Sequence, residues 1–170
     1  MKNIVTLLLV LLSFNLSAQT PEQKLNQLGI QLPKIPQALG SYVDFVRVEN
    51  LVFLSGRGPL NPDGKYSTGK VGQDLSIDEG YQAARLTAIN QLAVLKKAFG
   101  SLDKIKRIVK VNGYVNAADS FTEQSKVMNG FSDLLIEVFG EQGRHARTSV
   151  GVFTLPKHMA IEVEMIVEMK

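Results

Sequence analysis

The closing run Ile161-Glu162-Val163-Glu164-Met165-Ile166-Val167-Glu168-Met169 constrains the fold more than any other part of the chain. Its two-residue alternation sets Ile161, Val163, Met165 and Val167 on one face and Glu162, Glu164 and Glu168 on the other. A strand of this kind buries one side and wets the other, so it belongs to a sheet covered by helices on a single face. The preceding stretch, Ala146 to Phe153, also alternates: Ala146, Thr148, Val150 and Val152 oppose Arg147, Ser149, Gly151 and Phe153. Paired through Leu155-Pro156-Lys157-His158, the two strands are expected to turn their apolar sides under the helices. Arg147 and Glu162 would then point together to the uncovered side.

The rest of the chain supplies the helices and the remaining strands. Val43 to Val48 and Leu51 to Ser55 read as strands around a Glu49-Asn50 turn, and Gly56-Arg57-Gly58-Pro59 is expected to break the second. Ser76 with Glu79 forms a capping-box pattern ahead of Ile77, Tyr81, Ala84, Ala88, Leu92, Leu95 and Phe99, which keep helical spacing up to Gly100. Ile105 to Val115 is a β-branched strand. A second helix is expected from Asp119 or Ser120 through Phe121, Met128, Phe131, Leu135 and Val138 to Gly140. The order is ββαβαββ, an α+β fold with one mixed sheet under two helices.

The N-terminus reads differently. Met1-Lys2-Asn3, the apolar run Ile4 to Leu12 and the small residues Ser13, Ser17 and Ala18 form a secretory signal pattern, too short to span a bilayer comfortably. The expected division is a leader over 1–19, a short helix and proline-bearing lead-in over 20–39, and one domain over 40–170, exported to the periplasm or secreted without a stable membrane anchor. The chain of 170 residues has no cysteine, which excludes disulfides, thiolate nucleophiles and cysteine-ligated zinc. Only His145 and His158 offer imidazole, so no metal site is expected. The net charge of +3 is too mild to argue for a nucleic-acid partner. Lys96, Lys97, Lys104, Lys106, Arg107 and Lys110 read as a solvated rim without interleaved aromatics.

The uncovered sheet face carries the candidate chemistry. Arg147 can fork onto a small carboxylate while Glu162 manages a water or a proton; the alternative is a solvated cross-strand pair worth about 1 kcal/mol or less. Phe153 and Ile166 on that face point to contact with another subunit. Tyr42 at a strand entry and Arg57 between two glycines are weaker candidates, their plain roles being packing and solvation. Ser149 lacks a partner histidine, and strand alternation weakens any pairing of His145 with Arg147.

Gly40-Ser41-Tyr42, Ser55-Gly56-Arg57-Gly58-Pro59, the Val109 to Val115 strand, Ala146-Arg147-Thr148-Ser149-Val150, Leu155-Pro156 and Ile161-Glu162-Val163-Glu164 together resemble the RidA (YjgF/YER057c/UK114) family, in its branch with an extended N-terminal region. The resemblance spans about Gly40 to Met169. It implies a chorismate-mutase-like fold, a homotrimer with sites between subunits, and hydrolysis of enamine or imine intermediates such as 2-aminoacrylate to a 2-oxo acid and ammonia, with no cofactor. Carried over by motif, Arg147 clamps the substrate carboxylate and Glu162 positions water. Tyr42, Ser55, Gly56 and Ser149 shape the pocket. A non-catalytic protein that binds small carboxylates is the alternative. Members often carry proline, glutamine and cysteine where Ser41, Arg57 and Ser149 stand; Arg57 adds a second cation that retunes or blocks the pocket. Ribonuclease activity, attached to some relatives, is disfavoured by the lack of a histidine pair or basic groove.

Overall fold

The computed structural model describes residues 19–35 and 40–170, so the expected leader lies outside it except for Gln19. In chain order the elements are α1 (Pro21–Gln27), β1 (Phe45–Val48), β2 (Leu51–Arg57), α2 (Ile77–Phe99), β3 (Ile105–Asn116), α3 (Gln124–Phe139), β4 (Ala146–Val152) and β5 (Ile161–Met169). Among the described residues no helix is long and apolar enough to cross a membrane.

Local chemistry sets the ends of the helices. Ser76 and Glu79 close the predicted capping box on α2, and Gly100 ends it at φ 77°, a left-handed position where glycine carries no Cβ penalty. Thr20 and Gln23 form a second box on α1, which stops at Gln27, and Gly29 just beyond it turns left-handed at φ 67°. Helix α1 buries Leu25, and its Glu22 bonds Lys96 and the Leu102 amide, pinning it to the end of α2. Helix α3 starts later than expected. The amides of Ala117 and Ala118 are still tied to Val152 and Val71, which keeps the chain out of helical geometry through Phe121.

The five strands lie in the order β1-β2-β5-β3-β4. All neighbours are antiparallel except β3 and β4, so the sheet is mixed, as the pattern predicts. The expected pairing of the last two strands does not occur, because β3 inserts between them. Helices α2 and α3 cover one face, where Ile161, Val163, Met165 and Val167 of β5 meet Leu92, Leu95, Met128 and Phe131 in a solvent-free core. Each such side chain contributes about 2 kcal/mol of burial. Gly130 lets the helices touch, since any Cβ there would overlap the Tyr81 carbonyl. The opposite face is open and partly apolar, with Val46, Val48, Phe53 and Val150 exposed.

Strand β2 does not break at Gly56. It runs on to Arg57 by absorbing one extra residue: Leu54 pairs with Met165 and Arg57 with Val163, three steps against two. Such a bulge re-aims side chains locally, and here it places Gly56 against Glu162 and turns Arg57 away.

Candidate active site

The bulge of β2 is held from beneath by two polar residues inside the helical layer. Asn90 donates to the carbonyls of Gly58 and Leu60 at 3.0 and 3.1 Å, and Gln91 to those of Ser55 and Val163 at 3.0 and 2.8 Å. Both side chains are buried, so each bond satisfies a carbonyl that water cannot reach. Sequence reasoning missed this pair. Its signal was there: two adjacent amides between the apolar stretches Ala88-Ile89 and Leu92-Ala93-Val94-Leu95.

Above the bulge opens a cavity of about 600 Å³, lined by Tyr42, Gly56, Arg57, Gly58, Tyr66, Lys157, Met159 and Glu162 among others. Tyr42, Gly56 and Glu162 therefore line one cavity. Glu162 lies on the open face of β5, against the bare Cα of Gly56. Asn112 and Tyr114 donate to Glu164 at 3.0 and 3.3 Å, while no donor meets the Glu162 carboxyl among the described residues. Burial, and secondarily the charge of Glu164, push the Glu162 carboxyl above the usual carboxylate range. Glu164 is spent on its donors, and Ser55, which is not among the lining residues, donates its hydroxyl to the Val43 carbonyl at 2.7 Å. Lys157 lies over the Tyr66 ring at 5.1 Å on the rim. Arg57 borders the cavity, but its guanidinium is paired with Asp44, which also faces Lys97 at 4.0 Å. The second cation is thus neutralised and turned toward α2.

Arg147 is not in this cavity. Because β4 runs parallel to β3, Arg147 stands beside Val111 and Ser149 beside Gly113, both of which face the helices. The expectation that Arg147 shares the uncovered face with Glu162 is therefore corrected: within one chain they lie on opposite sides of the sheet. Alternation had grouped the residues of β4 properly and assigned the groups to the wrong sides. The guanidinium donates to Asn129 Oδ1 at 3.0 Å, Ser132 Oγ at 2.9 Å and the Ser125 carbonyl at 3.2 Å. All three acceptors are uncharged and come from α3. Ser125, Asn129 and Ser132, spaced i, i+4 and i+7, form a polar stripe that would have revealed this arrangement. Burial lowers the Arg147 pKa from its very high ordinary value, with Asp133 opposing the shift. Ser149 Oγ is buried on the same side without a hydrogen-bond partner. His145 and Arg147 make no hydrogen bond to each other, but both reach Ser132.

The basic cluster is largely engaged locally. Lys96 pairs with Glu22 and Lys106 with Glu168, Lys110 donates to Thr148 at 2.9 Å, and Lys104 to the Phe99 carbonyl at 2.8 Å. Among the described residues no group of three or more histidine, aspartate or glutamate side chains is placed to hold a metal ion.

A mixed sheet with two long helices on one face, β3 inserted between the last two strands, is a chorismate-mutase-like scaffold. A family model described as "YjgF/chorismate_mutase-like, putative endoribonuclease" matches residues 22–169, and the chain belongs to that family, the RidA (YjgF/YER057c/UK114) family. It is 45% identical to Protein TCP17 of Trypanosoma cruzi over 146 residues, covering 85% of this chain and 91% of that one. It is 31% identical over 139 residues to the 2-iminobutanoate/2-iminopropanoate deaminase of Dermatophagoides farinae, covering 81% and 93%. A crystal structure of an Agrobacterium tumefaciens protein of unknown function superposes with a TM-score of 0.80 at 41% identity, covering 88% and 92%.

Proposed function

We propose that the chain hydrolyses small 2-imino acids, of the 2-iminopropanoate type, to the 2-oxo acid and ammonia, at sites completed between two copies. The observation that carries this is the state of Arg147: a guanidinium organised by three neutral acceptors, with no carboxylate paired to it among the described residues. A fixed fork with no carboxylate bonded to it is suited to a substrate carboxylate. The deaminase of Dermatophagoides farinae lends the reaction class.

In this arrangement Arg147, Asn129 and Ser149 of one copy face the cavity of Glu162, Gly56 and Tyr42 of the next, within a homotrimer. The clamp holds the carboxylate and presents the imine carbon to a water beside Glu162. The carboxylate takes the proton of the attacking water as the C–O bond forms, and returns it to nitrogen. The proton of the new hydroxyl passes through the same Glu162 carboxylate to nitrogen as the C=O bond forms and the C–N bond breaks, leaving the 2-oxo acid and ammonia. The substrate is already electrophilic, so orientation and one proton carrier suffice. Export from the cytoplasm is part of the same proposal, and the apolar run Ile4 to Leu12 supports it.

The test is ammonia release from freshly generated 2-iminopropanoate. The wild-type chain accelerates it over buffer, and Arg147→Ala and Glu162→Gln each lose about a hundredfold or more in kcat/KM. Mixing the two inactive variants after dissociation and reassembly restores about a quarter of the activity, since one junction in four joins an intact clamp to an intact carboxyl. Carboxylate binding without turnover would instead mark a binding protein of the same fold. No acceleration and no binding would end the proposal.

A further inference from the structure

Arg147 is anchored through a hydrogen-bond chain that runs back from β4 into the turn after α3. His145 Nδ1 lies 2.6 Å from the Gly143 carbonyl, which can only accept, so Nδ1 carries the proton. Nε2 then holds the lone pair and accepts from Ser132 Oγ–H at 3.0 Å. With its proton committed to the imidazole, Ser132 Oγ turns its lone pairs toward Arg147 Nη1 at 2.9 Å. The direction of every bond follows from the first.

We infer that Ser132 and His145 are positioning residues for the substrate clamp: the imidazole fixes the serine hydroxyl as an acceptor, and the hydroxyl fixes the guanidinium. The inference takes its ligand from the function proposed above. Ser132 beside a histidine has the makings of a nucleophile, but it is only 8% exposed and its oxygen already serves Arg147, so attack on a substrate is not its role. Each bond in such a chain polarises the next, which makes the whole stiffer than its parts. The clamp is thereby held at the β4 edge before any ligand arrives, which reduces the ordering cost of binding.

The device is sensitive to acid. Burial, chiefly, and the Arg147 charge hold the His145 imidazole below its ordinary pKa, against the pull of the Gly143 carbonyl. The groups around it are Arg147 on β4, Ser132 on α3 and the Gly143 carbonyl in the turn, with Asp133 on α3 acting on Arg147. Near neutral pH His145 is therefore an acceptor. Below its depressed pKa it becomes a second donor and a second cation toward the same serine, and the clamp loosens.

The experiment uses the full chain and two readouts. Pyruvate affinity by calorimetry between pH 5 and 8 reports the clamp, with Arg147→Ala as the control for site. Ser132→Ala is expected to raise Kd about tenfold at pH 7.5 while lowering Tm only slightly. His145→Gln, which keeps an acceptor that does not titrate, stays within a few fold of wild type and loses the acid-side weakening. Ionisation of Glu162 works in the opposite sense, weakening anion binding as pH rises, and is untouched by that variant. Nitrogen NMR of the unliganded protein reads the chain itself: the Nδ1–H tautomer at His145, and slow Arg147 guanidinium rotation that becomes fast in Ser132→Ala. If the wild type binds no pyruvate, the proposed function fails, and the NMR readout still decides the anchoring chain. An Nε2–H tautomer, or Arg147 mobility and pyruvate Kd both unchanged in Ser132→Ala, overturns the inference.

Discussion

Gly56→Ala separates catalysis from stability. The backbone of Gly56 is not in the left-handed region, so alanine meets no conformational strain there. Its new methyl, however, would overlap Oε1 of Glu162 and lie 3.1 and 3.2 Å from Cδ and Cγ. Ordinary carbon contacts begin near about 3.5 Å, so the carboxyl must retreat by on the order of 1 Å. The atom in the way is the free end of a flexible side chain facing a cavity, which makes the retreat cheap for the fold. It is expensive for chemistry, because a misplacement of about 1 Å at the proton carrier can cost roughly a hundredfold. The expected outcome is a kcat/KM for 2-iminopropanoate lowered about a hundredfold with Tm within about 3 °C of wild type. Carbon NMR of the Glu162 carboxyl would show an altered titration. Full activity in Gly56→Ala, with Glu162 shown to have moved, would refute the claim that this carboxyl must sit at the bulge.

Three further outcomes follow from the same geometry. Glu162 has a folded pKa raised above the ordinary 4.5, so the folded chain binds more protons than the unfolded one in the window just above that value. Stability contributed by this group falls as pH rises through the window. Glu162→Gln flattens that dependence in thermal melts and also removes the activity that depends on the ionised form, whose acid limb lies above pH 4.5. Asp44→Ala strips the counter-charge from a largely buried Arg57 and should cost about 2 kcal/mol in denaturant unfolding; it also frees a cation at the cavity, read as a changed KM for acid substrates. Gln91→Leu leaves the Ser55 and Val163 carbonyls without their buried donor and should cost about 2 kcal/mol or more by the same method.

What the sequence made legible was whatever a local rule decides completely. Ser76, Glu79 and Gly100 bound α2 because capping is settled within a few residues. The alternation of β5 placed Glu162 and Glu164 because every residue of its apolar row is large, leaving no doubt which side is buried. On β4 neither row is clearly a core row: Ala146, Thr148, Val150 and Val152 against Arg147, Ser149, Gly151 and Phe153. Alternation says which residues share a face, and only a strong hydrophobic contrast says which face it is. At this edge strand the deciding contact was the polar stripe of α3, a non-local partner outside any strand rule. Strand order was hidden for the same reason, since the insertion of β3 between the last two strands depends on long-range pairing. The one-residue slip at Ser55-Gly56 was likewise invisible, although the glycines hinted at a close approach.

The separation of Arg147 from Glu162 within one chain has a physical use in the proposed site. Were the two side chains adjacent on one face, they would form an ion pair. At about 4 Å and an effective dielectric near 20 that pair is worth roughly 4 kcal/mol, or about three units of pKa. The carboxyl would fall well below its ordinary range and stop exchanging protons near neutrality, and the guanidinium would be occupied before any substrate came. On opposite faces each keeps the state its task requires: Glu162 with its pKa held up by burial, and Arg147 on neutral acceptors with no carboxylate bonded to it among the described residues. Bringing them together across a junction of two copies, with an anionic substrate between, lets the substrate's own carboxylate supply the charge that neutralises the clamp. The proton carrier then stays at a raised pKa in the loaded site, and the energy of the ion pair goes into holding the imine carbon beside its water.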